Sequence, residues 1–260
     1  MLESLEQSPN GTWLGLEGQG VLVAGAGGLG AACVRAYLEQ GARVLLVDLS
    51  AERLDEVRRD CEGLGELTTL AADLTGPEVA ADVVASAEQV LGRIDVCLHS
   101  VGVNDRRPVL EFTPDEWNRV IAINLGTAFA LCQAVGRRMT ELGSGRIVMV
   151  SSVSGWLAHA NHAPYAASKG GMNQMMRVMA REWAGDGVTV NAIAPGYIET
   201  NLTSAYLERP GVRDALEELV PAGRLSQPDE VVGPVLFLSS RHAGYVTGHV
   251  LYVDGGRTLV

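Results

Sequence analysis

Three side chains near the middle of the sequence have the types and spacing needed to move a proton. Ser152 ends a short apolar run, and Tyr165 and Lys169 follow it in a helix-like segment, four residues apart. Residues at i and i+4 share one helical face, so we expect the phenol and the ammonium to lie side by side. Oxidising an alcohol requires a base, and a phenol with a pKa of ~10 becomes a better base beside positive charge. Tyr165 would then be the base, or the acid in the reverse direction, while Ser152 positions the substrate oxygen.

Lys169 is the only lysine in the chain, and the other 19 of its 20 basic residues are arginines. A lysine ammonium is compact and can give up its proton, whereas an arginine keeps its proton in proteins. We interpret the single lysine as a sign that position 169 requires this chemistry; the alternative is chance.

A glycine-rich turn lies near the start of the chain. The apolar run Val21–Ala24 leads into Gly25-Ala-Gly27-Gly28-Leu-Gly30 and then into a helix-like segment. In this context the glycines let the backbone approach a pyrophosphate, and the helix N-terminus favours negative charge. Asp48 ends the second strand-like run, where a carboxylate can bind ribose hydroxyls and repel a 2′-phosphate. The glycine-rich turn and Asp48 together predict that the cofactor is NAD rather than NADP. The alternative for Asp48 is that it caps the helix that begins at Ala51.

Strand-like and helix-like segments alternate along the whole chain, which predicts a single-domain Rossmann fold over residues 1–260. In this α/β fold, helices cover both faces of a doubly wound parallel sheet of about seven strands. Strands are predicted at Val21–Ala24, Arg43–Val47, Leu67–Ala71, Ile94–Leu98, Arg146–Val150, Val188–Ile193 and Val250–Val253. Helices are predicted at Leu29–Gln40, Ala51–Cys61, Pro77–Leu91, Pro114–Leu142, Pro164–Ala184 and Pro228–Ser239. The break in this alternation, residues 197–227, is predicted to hold short helices and to act as a substrate lid.

Composition narrows the possible partners. The chain has 260 residues, 47% of them hydrophobic, and a formal net charge of −11. Such an acidic chain repels phosphate backbones and anionic lipid, so we expect neither nucleic acid nor a membrane as partner. The N-terminal segment lacks the pattern of a signal peptide. Cys33, Cys61, Cys97 and Cys132 have no Cys-x-x-Cys spacing, which favours reduced thiols in the cytoplasm and no metal site.

The chain resembles the short-chain dehydrogenase/reductase family from Leu16 to Gly256. The family's S…YxxxK signature appears as Ser152, Tyr165 and Lys169. The resemblance implies that Asn124, in IAINLGTAF, completes the catalytic set by holding a water for proton relay through Lys169.

The same resemblance implies further cofactor contacts and an assembly. Asp73 matches the family's adenine-contacting aspartate, and Pro195 and Gly196 match its Pro-Gly motif. The implied cofactor contacts are Gly25, Gly27, Gly28, Leu29, Gly30, Asp48, Leu49, Asp73, Leu74, Ser100, Gly102, Tyr165, Lys169, Pro195, Gly196, Ile198 and Thr200. Ile198 and Thr200 are expected near the nicotinamide carboxamide. The family also implies a homotetramer in which the two long helices pack across a two-fold axis.

Two motifs depart from the family pattern. The glycine loop is one residue shorter than the usual T-G-x-x-x-G-x-G and has Ala24 where threonine is usual. The family's Asn-Asn-Ala-Gly reads His99-Ser100-Val101-Gly102, so the packing it provides must be achieved another way. We expect His99 to be a packed residue at a strand end rather than a catalyst.

The substrate is predicted to be a small sugar acid or polyol. Arg106 and Arg107 follow the fourth strand, and an arginine fork matches a carboxylate; the alternative is that both pair with Asp105 or Glu111. In the loop between Ser152 and Tyr165, the side chains of Trp156, His159 and His162 face either the substrate or solvent.

Several segments resemble gluconate 5-dehydrogenases and 2-deoxy-D-gluconate 3-dehydrogenases, among them VNDRRPVLEFTPDEWN and PAGRLSQP. Three functions stay open: a sugar-acid or polyol dehydrogenase, a 3-oxoacyl-(acyl-carrier-protein) reductase or other ketone reductase, and a non-catalytic NAD-binding regulator. The intact catalytic set argues against the regulator. Asp48 argues against the acyl reductase, which usually uses NADPH.

Overall fold

The structure, a computed structural model, describes residues 13–199 and 203–260. Its centre is a seven-stranded parallel sheet with the order β3-β2-β1-β4-β5-β6-β7. The strands are β1 Gly20–Ala24, β2 Arg43–Asp48, β3 Leu67–Ala71, β4 Val96–His99, β5 Gly145–Val150, β6 Val188–Pro195 and β7 Val250–Val253. The helices are α1 Gly28–Glu39, α2 Ala51–Asp60, α3 Val79–Leu91, α4 Pro114–Ile121, α5 Thr127–Leu142, α6 Ala163–Trp183, α7 Ser204–Leu207, α8 Val212–Glu217 and α9 Pro228–Ser239.

Each face of the sheet carries its own hydrophobic core. Leu22 of β1 packs with residues of α3, α5 and α6, whereas its neighbour Val23 packs with residues of α1, α2 and α9. This alternation follows from the two-residue period of a strand, and because both faces are covered, the inner strands read as continuous apolar runs. The predicted Rossmann fold with seven strands is confirmed.

The strand order reverses beside β1, which lies between β2 and β4. The chain leaves β1 towards one side of the sheet and β4 towards the other, so a crevice opens between the loops that follow these two strands. In open α/β sheets ligands bind at this point, outside the carboxyl ends of the strands. Ala24, Asp48, His99, Val150 and Pro195 are the last residues of the strands that border this edge.

The predicted helix Pro114–Leu142 is continuous but contains a widened turn. A capping box of Thr113 and Glu116 starts α4. At Ala122–Gly126 the helix changes to π geometry, and the Thr127 N–H bonds the Ala122 carbonyl five residues back. Single π turns of this kind are frequent at functional sites.

The same helix, Pro114–Leu142, is long and apolar enough to cross a membrane by length and composition, with a mean hydropathy of 1.4 in its best window. Its α5 part packs into the core under the sheet through Leu131, Cys132, Val135 and Met139, all fully buried. A core helix of this kind satisfies the same length and composition criteria.

Three predicted boundaries were wrong by two residues, and the others agree with the structure to within one residue. The sixth strand ends at Pro195 rather than Ile193. The third helix begins at Val79 rather than Pro77, after the Glu78 N-cap. The fourth strand begins at Val96 rather than Ile94; before it, the Asp95 carboxylate accepts a hydrogen bond from the Gly20 N–H and pairs with Arg93.

Candidate active site

Ser152 and Tyr165 are brought to one pocket by the end of β5 and the first turn of α6. β5 ends at Val150, and the Ser152 hydroxyl accepts a hydrogen bond from the Ser154 N–H. Pro164 lies in the first turn of α6, where a missing N–H costs nothing. Tyr165 follows directly and lines the same pocket as Ser152. The predicted pairing of these two hydroxyls is therefore present in the fold.

Lys169 lies one helical turn further along α6 and is 3% exposed. Its Nζ donates to the Val150 carbonyl at 2.7 Å and lies 5.7 Å from the centroid of the Tyr165 ring. Burial lowers the pKa of Lys169 to about 8. A lysine ammonium near neutral pH in this position can both carry charge and release a proton.

The pKa of Tyr165 is raised by burial, and two neighbours act against that rise, first the Ser152 hydroxyl and then the positive charge of Arg106. The sequence predicted that Lys169 would lower this pKa. The charge that does so in this structure is that of Arg106, whose loop follows β4.

Asn124 is fully buried in the widened turn between α4 and α5. Its Oδ1 accepts from the Val103 N–H at 2.8 Å, while its Nδ2 donates to the Val103 carbonyl at 2.9 Å and to the Ser168 hydroxyl at 3.1 Å. The side chain thus clamps the loop after β4 to the helix that carries Tyr165. Both amide hydrogens are used, and only a second lone pair on Oδ1 is left for a relay water.

The pocket has an interior volume of about 70 Å³ and is closed on one side by the segment 203–216. Its polar lining is Asn104, Arg106, Ser152, Ser154, His159, His162, Tyr165, Tyr197, Thr203 and Tyr206. The predicted short helices of the lid are α7 and α8, and Arg213 of α8 forms a two-pronged ion pair with Glu199 at 2.6 and 2.9 Å. Opening and closing of this segment stays a prediction.

Arg106 is the positive charge of the pocket. Its Nε donates to His162 Nε2 at 3.0 Å, and its guanidinium lies 3.8 Å from the centroid of the Tyr206 ring. Among the described residues it forms no ion pair, and its buried Nη1 has no hydrogen-bond partner. A half-buried guanidinium with an unused donor is suited to an anionic ligand.

Arg107, the other predicted carboxylate ligand, has a different environment. It pairs with Asp105 at 2.6 Å and with Glu116 at 2.9 Å, and it covers the Phe112 ring. These carboxylates raise its pKa, and it does not line the pocket. The sequence left open that the two arginines pair with neighbouring carboxylates instead of substrate. This alternative applies to Arg107, whose partners are Asp105 and Glu116 rather than Glu111.

The loop between Ser152 and Tyr165 contributes two histidines to the pocket. His162 Nδ1 donates to the Ala160 carbonyl at 2.8 Å, which leaves Nε2 free to accept from Arg106. His159 bridges Ser154 at 2.9 Å and Tyr197 at 3.4 Å. Burial lowers the pKa of His159 to about 4. Trp156, in contrast, is 73% exposed and lies outside the pocket lining.

The glycine loop fits a pyrophosphate in spite of its short length. Gly25 has φ +103°, and a Cβ on it would lie 2.8 Å from the Ser100 hydroxyl. A Cβ on Gly30 would lie 1.9 Å from the Gly25 carbonyl oxygen, so these two glycines are required by packing. Gly27, the N-cap of α1, faces open space and provides no side-chain cap for the first turn. The helix N-terminus is thus available to a phosphate group.

Asp48, 9% exposed, is tied to the glycine loop. Its Oδ2 accepts from the Ala26 N–H and its Oδ1 from the Ser50 N–H, both at 2.8 Å, and Arg53 lies 3.7 Å from Oδ1. Ser50, not Asp48, caps α2. The carboxylate lies where a ribose would meet the second strand, which fits the predicted dinucleotide.

The remaining predicted cofactor contacts border the same crevice. Ser100 donates to the Ala24 and Gly25 carbonyls, and Gly102 lies beside both Asn124 and Lys169. Asp73 accepts from Thr75, Leu74 is buried and Leu49 is exposed. Gly28 and Leu29 start α1, Pro195 ends β6, and Gly196 and Ile198 follow β6. Thr200 lies outside the described residues.

Sequence reasoning missed Tyr206 and Tyr197 as parts of the pocket. Both lie in the segment after β6, where neither alternation nor helical period predicts which way a side chain faces. The only available signal was their aromatic character in a segment rich in small and charged residues.

Residues 23–258 match the family model described as enoyl-(acyl carrier protein) reductase, of the short-chain dehydrogenases. The chain belongs to the short-chain dehydrogenase/reductase family. This family binds a nicotinamide cofactor, and its sugar and polyol dehydrogenases interconvert secondary alcohols and ketones.

Individual relatives differ in substrate. D-threitol dehydrogenase of Mycolicibacterium smegmatis is 40% identical over 249 residues, which covers 94% of each chain. The 3-oxoacyl-(acyl-carrier-protein) reductase FabG of Thermotoga maritima is 37% identical and covers 94% of this chain and 99% of that protein. A solved gluconate 5-dehydrogenase from Burkholderia cenocepacia, in complex with NADP and tartrate, is 33% identical. Its TM-score is 0.87, over 94% of this chain and 96% of that one.

Proposed function

We propose that the protein is an NAD(H)-dependent oxidoreductase that interconverts a secondary alcohol and a ketone on a small sugar acid or polyol. The observation that supports this most directly is the shared pocket of Ser152, Tyr165 and Arg106, next to the crevice of the glycine loop. The bound nicotinamide would supply the hydride chemistry. The chain supplies the proton transfer and the positioning of the substrate.

The proposed proton transfer takes place at the Tyr165 hydroxyl. Ser152 holds the substrate oxygen beside it, so that the proton lost by the alcohol passes to the phenolate. The charge of Arg106 stabilises that phenolate, and Lys169, anchored by the Val150 carbonyl, passes the proton on through water near Asn124. In the reductive direction Tyr165 returns the proton to the substrate oxygen.

NAD is proposed over NADP because of Asp48. Its carboxylate is held at the end of β2 by two backbone N–H groups, so it cannot easily swing away from a ribose 2′ position. A 2′-phosphate brought to the same place would face a nearly buried negative charge.

A sugar acid is proposed over a neutral polyol because of Arg106. Its unused Nη1 and the absence of an ion pair among the described residues favour a carboxylate ligand. The small pocket volume fits a short hydroxylated chain. The likeness to a gluconate 5-dehydrogenase supports the same substrate class.

The second candidate is a 3-oxoacyl-(acyl-carrier-protein) reductase, favoured by the likeness to FabG. The net charge of −11 speaks against it, because an acidic carrier protein requires a basic docking surface. A cytoplasmic homotetramer is part of the proposal, supported by Phe129 and Val178, which are 47% and 48% exposed on α5 and α6.

The test compares Arg106→Ala with Arg107→Ala, two neighbouring arginines with different environments. Each variant is assayed with a gluconate-type acid and with the corresponding polyol, following NADH. Loss of a charged hydrogen-bond partner costs ~1.5–3 kcal/mol, so Arg106→Ala should raise KM for the acid about ten- to hundredfold and spare the polyol. Arg107→Ala should leave both KM values near wild type. If no sugar acid or polyol is oxidised while acetoacetyl thioesters are reduced, the second candidate replaces the first.

A further inference from the structure

His99 is fully buried at the end of β4, where its backbone pairs with Ala24 and Met149, and its side chain bonds the helix that carries Asn124. His99 Nε2 lies 2.9 Å from the Thr127 hydroxyl, and that hydroxyl lies 2.5 Å from the Ile123 carbonyl oxygen. A carbonyl can only accept, so Thr127 donates to Ile123 and accepts from His99. The imidazole therefore carries a proton on Nε2.

Thr127 uses both of its donors on the widened turn. Its backbone N–H reaches the Ala122 carbonyl five residues back, and its hydroxyl reaches the Ile123 carbonyl four residues back. A hydroxyl that bonds the i−4 carbonyl loosens and bends a helix. The two bonds therefore hold the helix in the π geometry at this point, and His99 holds the hydroxyl that makes one of them.

Asn124 lies at the centre of this turn, and its position depends on the turn's shape. Its amide spans from Val103, in the loop after β4, to Ser168, on the helix that carries Tyr165 and Lys169. The Ser168 hydroxyl in turn donates to the Tyr165 carbonyl at 2.7 Å. A shift of the turn would therefore reach both the substrate-side loop and the catalytic helix.

We propose that His99 is a positioning residue for Asn124, acting through the Thr127 hydroxyl to keep the π turn open. Its effect on turnover rests on the function proposed above, whereas its effect on the turn does not. This role explains how the chain manages without the Asn-Asn-Ala-Gly sequence at this strand end: an imidazole donor reaches across to the helix in its place.

The environment of His99 favours a neutral donor. Burial and the positive charge of Lys169 lower the pKa of His99 to about 3, so the ring stays uncharged at physiological pH. An arginine or lysine at this position would place a second positive charge near Lys169 in a buried site. The bare Nδ1 has no partner among the described residues, and an unpaired imidazole acceptor is less costly than an unpaired charge.

The first experiment compares Thr127→Val with Thr127→Ser. Valine keeps the shape but removes the hydroxyl, whereas serine keeps the hydroxyl and loses a methyl group. Amide hydrogen exchange in segment 121–128 requires no catalysis. It should be at least about tenfold faster in Thr127→Val and in His99→Leu, and near wild type in Thr127→Ser. Equal exchange in all variants would overturn the proposal.

The second experiment measures whether His99 acts through Asn124. His99→Leu alone should lower kcat about ten- to hundredfold, with little change in KM for NAD, since a displacement of about 1 Å can cost that much. In an Asn124→Ala background the same substitution should have almost no further effect on kcat. Additive losses would contradict the proposal, as would an Asn124→Ala variant with normal kcat. If wild type turns over no substrate, the proposed function fails, and the exchange experiment still decides the role of His99.

Discussion

Replacing Asp48 with asparagine should shift the cofactor preference towards NADP. The change removes a negative charge but keeps one oxygen that can accept from Ala26 or Ser50. Because the asparagine NH₂ cannot accept, one of these two backbone N–H groups loses its partner, and NAD itself should bind about tenfold more weakly.

The size of the shift follows from the charges around Asp48. At a separation of about 5 Å and an effective dielectric constant of about 20, two unit charges interact by ~3 kcal/mol. Arg53, 57% exposed and 3.7 Å from Asp48, attracts the same phosphate and offsets part of this repulsion. A change of ~2–3 kcal/mol corresponds to a fall of roughly 30- to 160-fold in the ratio of kcat/KM for NAD to that for NADP.

The assay measures kcat/KM for NAD and for NADP, and the Kd of both reduced cofactors. The proteins compared are wild type, Asp48→Asn and the double variant Asp48→Asn/Arg53→Ala. The double variant should lose part of the gained NADP binding, because Arg53 is the cation nearest to Asp48 among the described ion pairs. Asp55→Asn, on the exposed face of α2, is the matched control and should leave the ratio unchanged. A wild-type preference for NADP, or a ratio that Asp48→Asn does not alter, would refute this reasoning.

Further outcomes follow from the same structure. Tyr165→Phe should lower kcat by at least ~10²–10⁴-fold and leave NAD binding unchanged. Lys169→Arg should also lower kcat strongly, because arginine does not release its proton. A near-normal kcat in either variant would contradict the role of that residue. Burial lowers the pKa of Lys169 from 10.5 to about 8, so the unfolded chain binds more protons between these values. As the pH rises from about 8 to 10.5, the free energy of unfolding of wild type should therefore increase by about 3 kcal/mol. Lys169→Met should not show this increase, and urea denaturation of both proteins measures it. Wild type should sediment as a tetramer and Phe129→Asp as a smaller species, with Val90→Asp on α3 as the control; a wild-type monomer at micromolar concentration would oppose this.

Much of the site was predictable because a parallel sheet collects the ends of its strands along one edge. Once the apolar runs are identified as strands, Asp48, His99 and Ser152 must lie along that edge whatever the details of packing. The spacing of Tyr165 and Lys169 fixes their common helical face in the same way. These predictions depend only on strand ends and helical period, which the sequence displays directly.

The widened turn at Asn124 was not predictable from the same patterns. The segment Pro114–Leu142 reads as one helix, and Gly126 within it is a weak signal. The π geometry depends on Thr127 and on a histidine 28 residues earlier in the chain. A contact at that separation leaves no periodic mark in the sequence.

Arg106 and Arg107 show why the substrate contacts could not be assigned from sequence. They are neighbours in one loop, so composition and spacing treat them alike, and only the fold decides that Arg107 meets Asp105 and Glu116 while Arg106 meets His162 and the Tyr206 ring.

Arg106 forms no ion pair with any described residue, and this has a thermodynamic consequence that does not depend on turnover. A ligand that binds the folded state alone stabilises it by about 2.7 kcal/mol at 100 times its Kd. A hydroxy acid such as tartrate should therefore raise the Tm of wild type, since its carboxylate supplies the anion that the described residues do not. Arg106→Met keeps an apolar stem against Tyr206 and should abolish this shift, while Arg107→Met should retain it because Arg107 already has its carboxylates. The guanidinium does not bind a carboxylate if two results are found together. Tartrate would still raise the Tm of Arg106→Met, and a neutral polyol would raise the Tm of wild type and Arg106→Met equally.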